Sequence, residues 1–273
     1  MMRPRFFLSV GRRQSDAVEI SDYEGSRLAA LGMTALDVGP GAFLAIGAPA
    51  PVVFPGGVIV GELYRRGGGG GVVRTVSERE AELITRSEGQ ELIDAFWGSY
   101  VAILRHPHTG ALRVVRAPFG HLPCYVVTYA DAVTAASDTS LLVALAEYHP
   151  SLDWTAIAWH LAIRDLRFPR TCLAGIEELH GGEALTIDLA AKRESIWSPW
   201  KFANNRERIR DEGAAVETVR QAVMSTLRVH AFDEASSILL LSGGIDLDRG
   251  RGAQRGGSPL WMPDAHDARS DRR

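Results

Sequence analysis

FWGSYVAILRHPHTGALRVVRAPFGHLPCYV, residues 96–126, carries the clearest structural signal in the chain. SYVAILRH and ALRVVRA are apolar, β-branched runs on either side of Pro107-His108-Thr109-Gly110. That tetrapeptide is a turn sequence, with glycine where the backbone needs φ above zero. The spacing predicts an antiparallel hairpin. PCYVVTY, Pro123 to Tyr129, reads as a third strand, and the three together predict an antiparallel meander.

Upstream, RFFLSV and VVFPGGVIVGELY read as further strands, the second with Val58, Ile59 and Val60 between glycines. The five glycines Gly67 to Gly71 are followed by Val-Val-Arg rather than Gly-Lys-Ser/Thr, so they read as a loop and not as a phosphate cradle. Ser77-Glu78-Arg79-Glu80 is a capping box and predicts a helix, with a break at Gly89. Downstream, Asp153 can cap the helix WTAIAWHLAI, where Trp154, Ile157, Trp159 and Leu161 are expected to pack into the core. EALTIDL at 183–189 is another strand, and a domain boundary is expected within the irregular stretch 197–211, whose RERIR run (206–210) reads as a solvated face. The helix Ala214 to His230 lines up Val216, Val219, Val223 and Leu227, and leads into SILLLSGGID. After Asp246 comes an arginine- and glycine-rich tail with almost no apolar periodicity.

Composition narrows the function classes. The 273 residues are 46% apolar and 23% charged, enough for a sizeable core and outside the disordered class. A net charge of -3 argues against nucleic-acid binding through a broad basic face. Cys124 and Cys172 are the only cysteines, which excludes a disulfide scaffold and a Cys-built zinc site. Cys124 reads as a buried small hydrophobe, Cys172 as a turn residue, and His106 and His108 as solvated turn histidines. No run approaches the ~18 apolar residues of a membrane helix, and Phe6 to Val10 is too short for a secretory signal. A cytoplasmic location away from membranes is expected.

Ser242-Gly243-Gly244-Ile245-Asp246 is the most specific chemical signal. A strand end followed by Ser-Gly-Gly can present several backbone N–H groups to a phosphate with no Cβ in the way, and Asp246 could hold the Mg²⁺ of a polyphosphate. The same pentapeptide reads equally well as a tight turn after a core strand.

In its setting, strand-SGGID resembles the pyrophosphate loop of the ATP-pyrophosphatase superfamily, usually Ser-Gly-Gly-(Ile/Leu/Val/Met)-Asp-Ser. Three other stretches make the resemblance one to the class B (glutamine-hydrolysing) asparagine synthetase family. Gly61-Glu62-Leu63-Tyr64 is similar to its Asn-Gly-Glu-Ile-Tyr-Asn. Phe96 to Ala102 resembles its Leu-x-Gly-x-Phe-Ala, and Arg116 to Tyr125 its Arg-Asp-x-x-Gly-x-x-Pro-Leu-Tyr. The four stand in the family's order across residues 1–246.

The resemblance implies an α+β domain of the N-terminal-nucleophile-hydrolase type, an αββα sandwich, over residues 1–200. It implies the start of an α/β ATP-pyrophosphatase domain over 201–246, using ATP and Mg²⁺ through Ser242, Gly243, Gly244 and Asp246. The departures concern the glutaminase. Met2 stands where the family exposes a nucleophilic Cys, Val60 aligns with the Asn of the oxyanion hole, and Ser77 falls near the glutamine-binding Asp. Val60, Gly61, Glu62 and Ser77 therefore mark a degenerate glutamine pocket without a catalytic residue. A glutaminase-like domain lacking its nucleophile resembles the subgroup that closes lasso peptides. Those enzymes activate an Asp or Glu side chain as its adenylate for attack by the peptide's own amine, with a precursor peptide and a protease as pathway partners. Leu247 replaces the family's Ser, and a single-nucleotide shift at Leu247-Asp248-Arg249 would restore Ser-Ile-Val. The expectation is a synthetase domain truncated at 246 and a disordered, frameshifted tail over 247–273, inactive as it stands. The alternatives are a non-catalytic module that binds a peptide or partner protein, and a remnant without function.

Overall fold

The computed structural model describes residues 3–11, 22–67, 71–129, 131–163, 167–188, 190–203 and 211–232. The chain divides into two compact units, one of Met1–Gly68 with Val72–Asn204 and one of Gly69–Gly71 with Asn205–Arg273.

The first unit runs β1 (Phe6–Gly11), α1 (Asp22–Ala30), β2 (Met33–Leu36), β3 (Ala42–Gly47), β4 (Val52–Phe54), β5 (Gly57–Arg65), α2 (Glu78–Arg86) and α3 (Gln90–Asp94). It continues β6 (Phe96–Arg105), β7 (Leu112–Arg116), β8 (Tyr125–Thr128), β9 (Ala132–Ala136), α4 (Thr139–Ala146) and α5 (Trp154–Ala162). It closes with β10 (Glu177–Glu178), β11 (Glu183–Ile187), β12 (Ala191–Ser195) and α6 (Trp200–Ala203). The strands form two six-stranded antiparallel sheets, in the orders β10-β8-β9-β1-β3-β2 and β12-β11-β7-β6-β5-β4.

Period-2 alternation makes each sheet two-faced. Phe6, Leu8 and Val10 of β1 meet Val58 and Val60 of β5, and Val101 and Ile103 of β6, in the core between the sheets. The alternate residues point the other way. Phe7, Phe43 and Ala45 pack on Leu28 of α1 and on Leu141 and Leu142 of α4. Ile59, Leu63, Tyr100 and Ala102 pack on Ala81 and Ile84 of α2 and on Leu92 of α3. The result is the four-layer αββα sandwich implied by the resemblance.

Local signals behaved as the sequence predicts. Ser77 closes a complete capping box on α2, Gly89 breaks α2 from α3 in a left-handed conformation, and Asp153 caps α5 through the Ala156 amide. Two expectations fail. The meander stops after β7, because β8 crosses to the other sheet and pairs with β9 and β10. Pro118, Gly120 and Pro123 lie in the crossing segment, and a proline has no N–H for a ladder bond. The second failure is α5. Of its residues only Ala156 is buried, while Trp154 is 70% exposed, Trp159 54% and Leu161 73%. Its apolar face is real, but nothing in this unit's core receives it.

In the second unit, α7 (Glu212–Phe232) starts where Asp211 Oδ1 accepts from the Gly213 and Ala214 amides. Val216, Val219 and Val223 form an exposed stripe along it.

Candidate functional site

The three glycine-bearing motifs, distant in sequence, meet in space. β5 and β6 pair with Gly61 opposite Tyr100, Glu62 opposite Ser99 and Leu63 opposite Gly98. A Cβ on Gly61 (φ +114°) would lie 2.2 Å from the Ser99 carbonyl oxygen, and one on Gly98 (φ +142°) 2.1 Å from that of Glu62. One on Gly120 would lie 2.6 Å from Ser99 Cα. All three positions exclude a side chain outright. Ser99 Oγ ties the motifs together by accepting from the His121 and Leu122 amides at 2.8 and 3.0 Å.

Beside this junction, Arg116 spans the two sheets. It is 9% exposed, and its Nη1 donates to Glu178 Oε1 at 2.6 Å and to the Leu179 carbonyl. Leu179 N in turn donates to the Cys124 carbonyl at 2.8 Å. Arg116 opens one of the sequence motifs, whereas no local pattern points to Glu178. Burial pushes the Cys124 thiol up to about 12, against the opposing pull of Arg116 and Arg193. A fully buried thiol held in its protonated form is no nucleophile.

The four residues expected to mark the glutamine pocket are placed as follows. Val60 has no exposed surface and its isopropyl group lies in the inter-sheet core. Glu62 is half-buried and accepts from the Tyr64 hydroxyl at 3.3 Å, and the Tyr64 ring stacks on Trp97 at 4.6 Å. Ser77 stands at the Arg65 end of β5. Its amide and hydroxyl both donate to Glu80 Oε2, at 2.7 and 3.0 Å. Arg65 grips the same carboxylate through Nε at 2.7 Å and Nη2 at 3.0 Å, and reaches the Thr75 carbonyl. The Arg65 hydrogen bond, opposed by partial burial and aided by Ser77, lowers the Glu80 carboxyl to about 2. Ser77 is thus a structural cap whose hydroxyl is already engaged.

The structure brings Gly61 and Glu62 to Ser99, and places Val60 beside them but facing inward. Met2, Ser242, Gly243, Gly244 and Asp246 lie outside the described residues, as do the tail and residues 204–210 of the expected boundary segment. Of the remaining candidates, Cys172 is half-buried and His108 exposed. His106 is more engaged than expected, its Nδ1 accepting from the His108 and Thr109 amides. Among the described residues, no cluster of three His, Cys, Asp or Glu side chains could hold a metal ion, and no helix is long and apolar enough to cross a membrane.

Residues 69–198 match the family model of the glutamine amidotransferase domain, a span that includes Ser77, Gly98, Ser99 and Gly120. Asparagine synthetase [glutamine-hydrolyzing] 1 of Bacillus subtilis (strain 168) is 26% identical over 173 residues, 63% of this chain and 27% of that protein. The chain therefore spans under a third of that relative's length. Among solved structures, glutamine phosphoribosylpyrophosphate amidotransferase from B. subtilis, in complex with ADP and GMP, aligns with 92% of this chain and 64% of its own. Its identity is 14% and its TM-score 0.44. An allosteric regulatory enzyme of purine biosynthesis aligns at 11% identity and TM-score 0.38, over 97% of this chain and 63% of its own.

Proposed function

We propose that this chain is an asparagine-synthetase-like, ATP-dependent amide-forming ligase in which the glutamine amidotransferase domain persists as a scaffold and no longer hydrolyses glutamine. The observation that carries the reading is Val60. It immediately precedes Gly61-Glu62 on β5, yet its side chain fills the core and has no hydrogen-bond donor to offer an oxyanion. Ser77, committed to Glu80, offers no carboxylate to a substrate amine. Cys124 is sealed in the core.

An amide ligase without its own ammonia source must take the amine ready-made, and a peptide N-terminus is such an amine. The proposed reaction is macrolactam closure of a lasso-type precursor peptide. A side-chain carboxylate displaces pyrophosphate from ATP to give an acyl adenylate. The amine then attacks the acyl carbon, the amide bond forms, AMP leaves and a proton is released. Ser242, Gly243, Gly244 and Asp246 are the proposed contacts for the pyrophosphate and Mg²⁺, and a precursor peptide with its protease are the proposed partners in a reducing cytoplasm.

Two measurements test this. Glutamate release from glutamine by the purified chain is expected to match a buffer blank, and release above it would overturn the loss of glutaminase activity. In a protein that carries this chain together with a complete synthetase domain, pyrophosphate exchange into ATP is expected to require a peptide bearing an Asp or Glu side chain, while the chain as it stands is expected to show none. Exchange absent with every such peptide, while peptide binding remains, would favour a non-catalytic docking module instead. The exposed Trp154, Trp159 and Leu161 supply the observation for that second reading.

A further inference from the structure

We propose that α5 is a self-association surface, through which two copies of this chain pair antiparallel about a two-fold axis at Ala158. α5 reads WTAIAWHLA and carries no Asp, Glu, Lys or Arg from Trp154 to Ala162. Its inward side is small: Ala156 is buried, and Ile157 and His160 are half-buried. At about 100° per residue, Trp154, Ala158 and Leu161 fall within about 60° of one another, on the side away from Ala156. All three are exposed. A helix without a polar outer face is ordinarily a covered one.

The order of side-chain sizes along this stripe identifies the cover. Large, small, large reads the same in both directions. When a second α5 is laid antiparallel on the first, Trp154 of each copy faces Leu161 of the other, and the two Ala158 residues meet in the middle. Small residues at the crossing let the backbones approach to the about 8–10 Å of packed helices, while the bulky ends interlock. Trp159 stands at the rim, where the Phe168 ring meets it edge-on at 5.8 Å. Such a contact is isologous, so it closes at two copies and cannot grow into a filament.

Area sets the strength. Trp154, Trp159 and Leu161, with Leu152 just ahead of the cap, expose on the order of 500 Å² per copy. Two copies would bury about 1,000 Å², the lower bound for a specific interface and short of the ~1,600 Å² of a standard one. The dimer is therefore a weak one, with a dissociation constant on the order of 10–100 μM. The pairing involves neither ATP nor a peptide, so it does not rest on the proposed ligase activity.

The test is sedimentation equilibrium of the full chain from about 1 to about 500 μM. The average mass is expected to rise from one copy towards two and to stop there. Leu161→Gln combined with Trp154→Gln, both at exposed positions, should weaken association at least about tenfold and leave the circular dichroism spectrum unchanged. A second pair of variants reads the axis. Ala158→Cys sets two thiols at the crossing, within disulfide reach, so mild oxidation should give a covalent dimer. In Ala162→Cys the two thiols lie about 13 Å apart along the helix and should not join, and neither should the parent chain with Cys124 and Cys172 alone. A single copy at every concentration would overturn the proposal. So would a dimer that survives the double substitution, or cross-linking of Ala162→Cys as readily as of Ala158→Cys. A blue shift of the tryptophan fluorescence with phosphatidylcholine vesicles, in a chain that stays a single copy, would assign the face to a lipid surface instead and overturn it too.

Discussion

The junction around Ser99 and the face of α5 both stand out in the sequence, and the structure treats them in opposite ways. At the junction, three glycines allow backbones to approach until no side chain fits, with a Cβ on Gly98 falling 2.1 Å from a carbonyl oxygen. On α5, Trp154 and Leu161 keep 70% and 73% of their surface in solvent. Steric exclusion is settled by a few neighbouring atoms, so it leaves a fixed residue type in the sequence. Burial depends on what lies opposite, and a helix's own periodicity does not say what that is. Packing constrains Gly61 whatever residue stands at position 60.

The largest expected effect is at the junction. Gly98→Ala sets a methyl group against the Glu62 carbonyl at φ +142°, while ladder bonds hold both strands in place. Backbone strain and overpacking together should cost about 3–5 kcal/mol, a large share of a typical domain's stability. A steep fall in the chemical-denaturation midpoint is expected. Gly25→Ala sharpens the contrast: Gly25 lies inside α1 with nothing within 4 Å of a new Cβ. That change should stabilise by about 0.5–1 kcal/mol. Similar outcomes for the two variants would dissolve the distinction between a packed and a free glycine.

What was legible in the sequence divides along the same line. Caps and turns are decided within four or five residues, so Ser77, Gly89, Gly110 and Asp153 could be read directly. Strand partners are decided across the fold. Tyr125–Thr128 was recognisable as strand, but its pairing with β9 and β10 depends on Pro118, Gly120 and Pro123 turning the chain out of the first hairpin's sheet. The Arg116–Glu178 pair joins residues 62 positions apart, and no local pattern announces it. At the candidate site, the apolar residue type at Val60 is visible in the sequence, whereas its inward direction and the engagement of Ser77 need coordinates.

An intermediate effect belongs to the cap of α2, which is both locally specified and partly solvated. Glu80 has a folded pKa near 2, below its ordinary 4.5, chiefly through Arg65. A depressed carboxyl contributes stability that is fully present above about 4.5 and is lost as pH falls through about 2. Glu80→Gln keeps the capping hydrogen bonds and removes the charge, so it should cost about 0.5–1 kcal/mol at neutral pH. The gap between the two melting curves should close as pH falls from 4.5 towards 2. A gap that stays constant with pH would show that the Arg65 contact adds nothing as a charge pair.

The smallest effect is expected on α5, and it tests the other side of the comparison. Leu161→Gln and Trp154→Gln remove apolar groups that are already hydrated, so each should change stability by no more than about 0.5 kcal/mol. Leu44, with no exposed surface, should cost about 2–5 kcal/mol on truncation to Ala, because both the transfer energy and the cavity count against it. The residue type is the same in Leu161 and Leu44, so the difference isolates burial from hydrophobicity. If Leu161→Gln in dilute protein cost more than about 1.5 kcal/mol, the side chain would have to be covered in solution. The α5 face would then be an interface already filled, and its apolar pattern would have predicted burial correctly after all.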